Sequence, residues 1–214
     1  MVNPVPVDEV RSPDWTALAA AAATVIVHLV FQAQGPNPIF IIGACLFWAT
    51  FIVVRVCQDR AVLRRWGFRI DNLPRASVLP AAIMISIAAG FAWYAHVHGT
   101  LRFPPHAFLL LAAYPVWGVI QQFLALAIVV SNLELVPAFR RRRLLVVLIG
   151  AVLFGLVHGP APLLVGGTVL LELACIPLYL NYRNLWPLGV LHGWLGALFY
   201  LWVLERDMWV ENFG

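Results

Sequence analysis

Six side chains sit where polar groups are least at home. His28, Gln121, Gln122, His158, Glu172 and His192 all fall inside long apolar stretches of the 214-residue chain. Such groups cost free energy unless partners satisfy them, which makes them the first candidates for function. A neutral imidazole can offer a ring nitrogen to a metal or exchange a proton with water, so His158 and His192 are the natural reactive pair. Glu172 is the single carboxylate deep in an apolar stretch, and a carboxylate whose protonation answers to its neighbours suits a general base. Gln121 and Gln122 cannot ionise. They can orient water or a peptide carbonyl, or supply an oxyanion contact. Asn132 and Glu134 follow at the end of the same stretch. Each group also has a structural reading as a hydrogen-bonded link between helices. That reading is preferred for His28, whose segment looks peripheral, and weighs evenly with function for Glu172. Gly155, Gly159, Gly193 and Gly196 read as close-packing positions beside the histidines.

The elements that must hold these groups are transmembrane helices. Apolar residues make up 62% of the chain and charged residues 11%, and mean hydropathy is +0.86. A soluble domain has about 25% charge and could not cover its surface with so little. A disordered chain is poor in aromatics and is excluded as well. About seven spans of about 20 residues fit, six to eight being compatible with the pattern. They fall near residues 15–31, 39–57, 76–96, 106–131, 144–158, 163–180 and 185–204. Residues 59–66 suit a short interfacial helix with Trp66 as its anchor. Pro115 and Gly118 interrupt the fourth pattern, Asn184 suits a helix cap, and Pro187 suits a first turn. The expectation is an all-α polytopic bundle forming one integral membrane domain over 1–214, with peripheral helices in 15–96. Cys45, Cys57 and Cys175 read as small buried side chains rather than a disulfide framework.

All 14 basic residues are Arg. With seven spans, eleven of them (Arg11, the five from Arg60 to Arg75, the run Arg140, Arg141, Arg142 and Arg143, and Arg183) share one side, against Arg102 and Arg206 on the other. That bias puts the N-terminus in the cytoplasm and the C-terminus outside. The arginines are topology and lipid-headgroup residues, so no nucleic-acid partner is expected. The all-Arg set is compatible with a high-GC bacterial genome, and a bacterial plasma (inner) membrane is the expected location.

At about 1.5 Å per residue, His158 lies about 21 Å and His192 about 10 Å from the basic side, and Glu172 about 14 Å in from the other. A polar cavity shared by four helices needs His158 and His192 within about 8 Å of each other, since each hydrogen bond spans only about 3 Å.

Phe154-Gly155-Leu156-Val157-His158 resembles the Phe-x-x-x-His motif of the CPBP family, the CAAX-prenyl-protease and bacteriocin-processing membrane proteins also called the Abi family. Trp186-Pro187-Leu188-Gly189-Val190-Leu191-His192 resembles the run into that family's last His motif, and one short helix separates the two histidines. The resemblance covers about residues 103–204. The family's first motif, Glu-Glu-x-x-x-Arg, aligns with Gln121-Gln122-Phe123-Leu124-Ala125-Leu126, so both carboxylates are amides and Arg is Leu. Its His-x-x-x-Asn aligns with His192-Gly193-Trp194-Leu195-Gly196, so Asn is Gly.

The resemblance implies a CAAX-protease-like core and an intramembrane peptide hydrolase in which a motif-one carboxylate and the histidines activate water. Three functions compete for this chain. The first is a divergent endopeptidase that processes a membrane-associated or lipidated peptide or protein, with Glu172 replacing the lost carboxylate. His158 and His192 are its partners, Gln121 or Gln122 orients water, and Phe154 and Gly196 pack nearby. The second is an inactive member that binds a peptide or partner membrane protein. The third is a small transporter or scaffold. No cofactor is assigned. Zinc is disfavoured because a site needs three or four ligands, and two His, one Glu and poor amide donors barely reach that.

Overall fold

A computed structural model describes residues 12–32 and 38–213, and these contain helices and no strand. Helix α1 is Trp15–Gln32, α2 Pro38–Gln58, α3 Ala61–Trp66 and α4 Leu73–His98. Helix α5, Ala107–Gln122, continues without a break into a wider π-helical turn, Phe123–Val130, and then α6, Ser131–Leu135. Helix α7 is Arg143–Val157, α8 Pro162–Tyr182, and α9 Trp186–Leu198 with a π-helical extension Phe199–Val203. A short α10, Met208–Phe213, closes the described chain.

Five segments are long and apolar enough to cross a membrane: Ile39–Gln58, Leu73–His98, Ala107–Leu135, Pro162–Tyr182 and Trp186–Val203. Trp15–Phe31 and Arg143–Val157 are apolar but shorter. These seven helices coincide with the seven expected spans. Their outer faces are apolar, with Ile39, Trp93, Leu144 and Leu170 exposed, as lipid contact requires. Pro115 lies within α5 and does not end it. Neighbouring helices re-satisfy the backbone groups that an intramembrane proline frees.

Two local expectations are corrected. Trp66 is not an exposed interfacial anchor: it is 8% exposed, with its ring 5.1 Å from Phe123 and 6.0 Å from Phe51. The αL turn at Gly67 folds the chain back under α3 and carries that indole inward. Of the three cysteines only Cys175 is buried; Cys45 is half-buried and Cys57 is exposed toward the lipid or headgroups.

Glycines set the two closest helix pairs. A Cβ on Gly193 would lie 2.6 Å from the Tyr114 carbonyl oxygen, one on Gly118 would lie 2.7 Å from the Gly193 nitrogen, and one on Gly189 would lie 2.7 Å from Val119 Cα. Only glycine permits this approach of α5 and α9. Gly155 likewise brings α7 against Val165 and Val169 of α8, and Gly150 brings it against Ile176.

Polar links tie the ends of the helices. Asn72 Nδ2 donates to the Tyr182 carbonyl at 2.7 Å, Asn184 Nδ2 donates to the Arg69 carbonyl at 2.9 Å, and Leu185 N donates to the Gly67 carbonyl at 2.8 Å. Asn184 Oδ1 also accepts from Trp186 N at 3.1 Å, as a cap for α9 should. Arg183 pairs with Glu134 at 2.5 Å, and Arg55 with Asp14 at 2.5 Å. The Asp14 N–H in turn donates to Asn132 Oδ1.

Candidate functional site

The α5–α9 seam decides what Gln122 and His192 face. Gln122 lies one turn beyond Gly118 on the same face of α5, and His192 is next to Gly193 on α9. Glu172 stands at the middle of α8 on the inward face with buried Thr168 and Cys175, while Leu170 on the opposite face is 70% exposed. Gln122 and Glu172 are fully buried, and His192 is 6% exposed.

The three side chains form one network. The Gln122 amide donates to Glu172 Oε1 and to His192 Nδ1, the latter at 3.2 Å. With Nδ1 accepting, the His192 proton resides on Nε2. Gln122 Oε1 and Glu172 Oε2 are buried without a hydrogen-bond partner, a rare condition for native polar atoms.

Phe154 and His158 complete the group from α7. The Phe154 ring lies 4.7 Å from the His158 ring and meets the His192 ring edge-on at 5.3 Å. The two imidazole centroids are 6.4 Å apart, within the distance a shared site requires. His158 Nδ1 donates to the Phe154 carbonyl at 2.9 Å, which leaves its Nε2 lone pair free to accept a proton. The cluster thus presents an unpartnered carboxylate oxygen, an unpartnered amide oxygen, a proton-accepting imidazole and a proton-donating one. A water molecule and a carbonyl group are the reactants such a set suits.

Gln121, half-buried, takes no part in the network. Gly196 was expected to pack beside the site, but a Cβ there would meet nothing within 4 Å, and Gly159 is almost as open. The close-packing glycines on that seam are Gly118, Gly189 and Gly193. Gly189-x-x-x-Gly193 was their signal, since small residues four apart let membrane helices approach. Leu126, which aligns with the family's arginine, is fully buried in the apolar core, where an arginine would be an unpaired buried charge. His28 is nearer the site than its peripheral helix suggested: it is half-buried and its ring donates to the Val157 carbonyl, beside His158. Among the described residues, no group of three or more His, Cys, Asp or Glu side chains is arranged to hold a metal ion.

Residues 103–198 match the family model of Type II CAAX prenyl endopeptidase Rce1-like proteins. No curated protein and no solved structure matches the chain. The matched segment contains every member of the buried cluster and both histidine motifs. That segment, a little under half of the chain, is similar to the CAAX-protease-like intramembrane endopeptidases of the CPBP family.

Proposed function

We propose that this chain is a divergent intramembrane endopeptidase in which Glu172, on α8, does the work of the carboxylate missing from motif one. The observation that carries the reading is the contact of Glu172 with Gln122. The residue at the motif-one position holds the replacement carboxylate directly, and also holds His192. A water bound between Gln122 Oε1 and Glu172 Oε2 would satisfy both unpartnered oxygens. In the hydrolytic step Glu172 accepts a proton as the water oxygen bonds to the peptide carbonyl carbon. The His192 Nε2–H faces the developing oxyanion, and the proton is returned to the leaving amine as the C–N bond breaks. His158 stands as the second proton acceptor, with its ring held by Phe154. The substrate class is a membrane-embedded or lipidated peptide. The arginine bias supports a cytoplasmic N-terminus in a bacterial plasma membrane.

The second reading, binding without cleavage, is favoured by one specific feature: neither motif-one position carries a carboxylate. A fluorogenic farnesylated CAAX peptide, offered to the protein in nanodiscs, separates the two. Endopeptidase function requires cleavage by the wild type. Glu172→Gln should then lower the rate by about 100-fold or more, the usual loss of a general base, with the fold intact. Peptide binding with no cleavage by the wild type would establish the second reading instead.

A further inference from the structure

The register of α7 against α8 can be read from contacts along the pair. Arg143 Nη2 donates to Asn181 Oδ1 at 2.6 Å, and a Cβ on Gly155 would meet Val169. Val157, the last residue of α7, is therefore level with Gly167, well inside an α8 that begins at Pro162. At about 1.5 Å per residue, α7 stops about 7 Å below the level where α8 starts. Its 15 residues rise only about 22 Å, against about 30 Å for a hydrocarbon core.

Residues 158–161 fill the difference, and they are not helical. The N–H groups of His158 and Gly159 donate back to Gly155 and Leu156 at 2.9 and 3.1 Å. The carbonyls of His158, Gly159 and Pro160 accept no backbone hydrogen bond among the described residues. Pro160 is exposed and its neighbours are half-exposed, so protein does not bury this backbone. Irregular backbone at membrane depth is tolerated only where protein or water satisfies it. Beside the unpaired start of α8 there is open space, since a Cβ on Gly166 would meet nothing within 4 Å.

The other short apolar helix stands on the same side. Helices α1 and α7 both pack against the π-helical segment Phe123–Val130, and His28 of α1 reaches the Val157 carbonyl at the end of α7. The two helices least able to span a bilayer thus meet beside His158.

We propose that the bilayer is thinned along the α1–α7 face, so that interfacial water reaches residues 158–161 and enters the site past His158. A bilayer that dips costs a fraction of a kcal/mol per Å of mismatch, less than stranding three carbonyls in hydrocarbon. The water's presence does not depend on cleavage; its use as the hydrolytic water rests on the endopeptidase reading.

Spin labels test this directly. Leu156, the penultimate residue of α7, is 60% exposed, and Ile85, midway along α4, is 65% exposed, so a label at either leaves the interior packing alone. Leu156→Cys, Pro160→Cys and Ile85→Cys are made in a Cys45→Ala, Cys57→Ser background and reconstituted in dioleoyl-phosphatidylcholine vesicles. Power saturation then compares a water-soluble nickel chelate with dissolved oxygen. The expected result is a several-fold greater nickel accessibility at Leu156 and Pro160 than at Ile85. Nickel exclusion at Leu156 equal to that at Ile85 overturns the proposal, whatever the preparation cleaves. A preparation that is wet at Leu156 but cleaves no peptide leaves the proposal standing and counts against the endopeptidase reading alone.

Discussion

The buried network around Glu172 and the basic loop around Asp71 use the same chemistry in opposite surroundings. In the loop, Arg69 grips Asp71 through two bonds, Nε to Oδ1 at 3.0 Å and Nη2 to Oδ2 at 2.6 Å, and Arg64 adds a third contact at 3.2 Å. In the network, an amide grips a carboxyl group and an imidazole with no formal cation present. The loop pair is wet and replaceable, because water takes over whatever a mutation removes. The network is buried out of reach of bulk solvent, so each lost partner leaves a polar atom that the protein interior must satisfy again. A carboxylate's role in this chain follows from what surrounds it more than from its immediate partner.

The sharpest way to break the network is from outside it. Gly193→Val drives a side chain into the Tyr114 carbonyl and pries α9 from α5, removing His192 from Gln122. Backbone overpacking of this kind should cost about 3 kcal/mol or more, seen as a large drop in the thermal unfolding midpoint in detergent, or no folded protein at all. Cutting the network itself comes next. Glu172→Ala or Gln122→Leu strands the remaining partner and should cost about 1–3 kcal/mol by the same measurement. The double variant should cost less than the sum of the two, because neither partner is then left waiting for the other. Strict additivity would show that the two side chains do not interact.

Gly196→Ala sharpens the contrast within one helix. It sits three residues beyond Gly193, in open space, and should change stability by less than about 0.5 kcal/mol. A large loss there would mean that the α9 face is covered by something the chain alone does not supply.

The loop pair should give the smallest effect. The bidentate hydrogen bond from Arg69 holds the Asp71 carboxyl down at about 2, from an ordinary 3.8. A depressed carboxylate contributes its stabilisation above the ordinary value and loses it as pH falls through the folded value. Asp71 should therefore stay ionised until about pH 2, and Arg69→Gln should move its NMR titration midpoint back toward 3.8 without altering the fold at pH 7. An unmoved midpoint would show that Arg69 is not the cause.

Seven apolar stretches were legible as seven helices because membrane depth forces the backbone to satisfy itself locally, so length and hydropathy are almost sufficient. The π-helical turn after Gln122 was not legible, since an added residue per turn leaves the apolar pattern of Phe123–Val130 unchanged. The helix depths set His158 and His192 about 10 Å apart along the membrane normal if both helices stood upright. Their rings are 6.4 Å apart, because a count along one helix says nothing of how another leans against it. Gln121 and Gln122 were equal in sequence, and the rotation of α5 chose Gln122.

By itself, then, the sequence determined that this is a polytopic helical membrane protein with two histidine motifs and an amide pair at the place where the family it resembles has carboxylates. Hydropathy, charge bias and motif order are properties of the chain read one residue at a time. Only the tertiary structure decided that Glu172 faces inward, that it touches the motif-one position, and that His28 lies at the edge of the site. Those facts depend on glycine-to-backbone contacts at Gly118, Gly189 and Gly193 between α5 and α9, far apart in sequence, and on the close contact of Gly155 with the next helix, α8. An α-helix presents every side chain to some direction, and only its packing partners decide which direction is the interior.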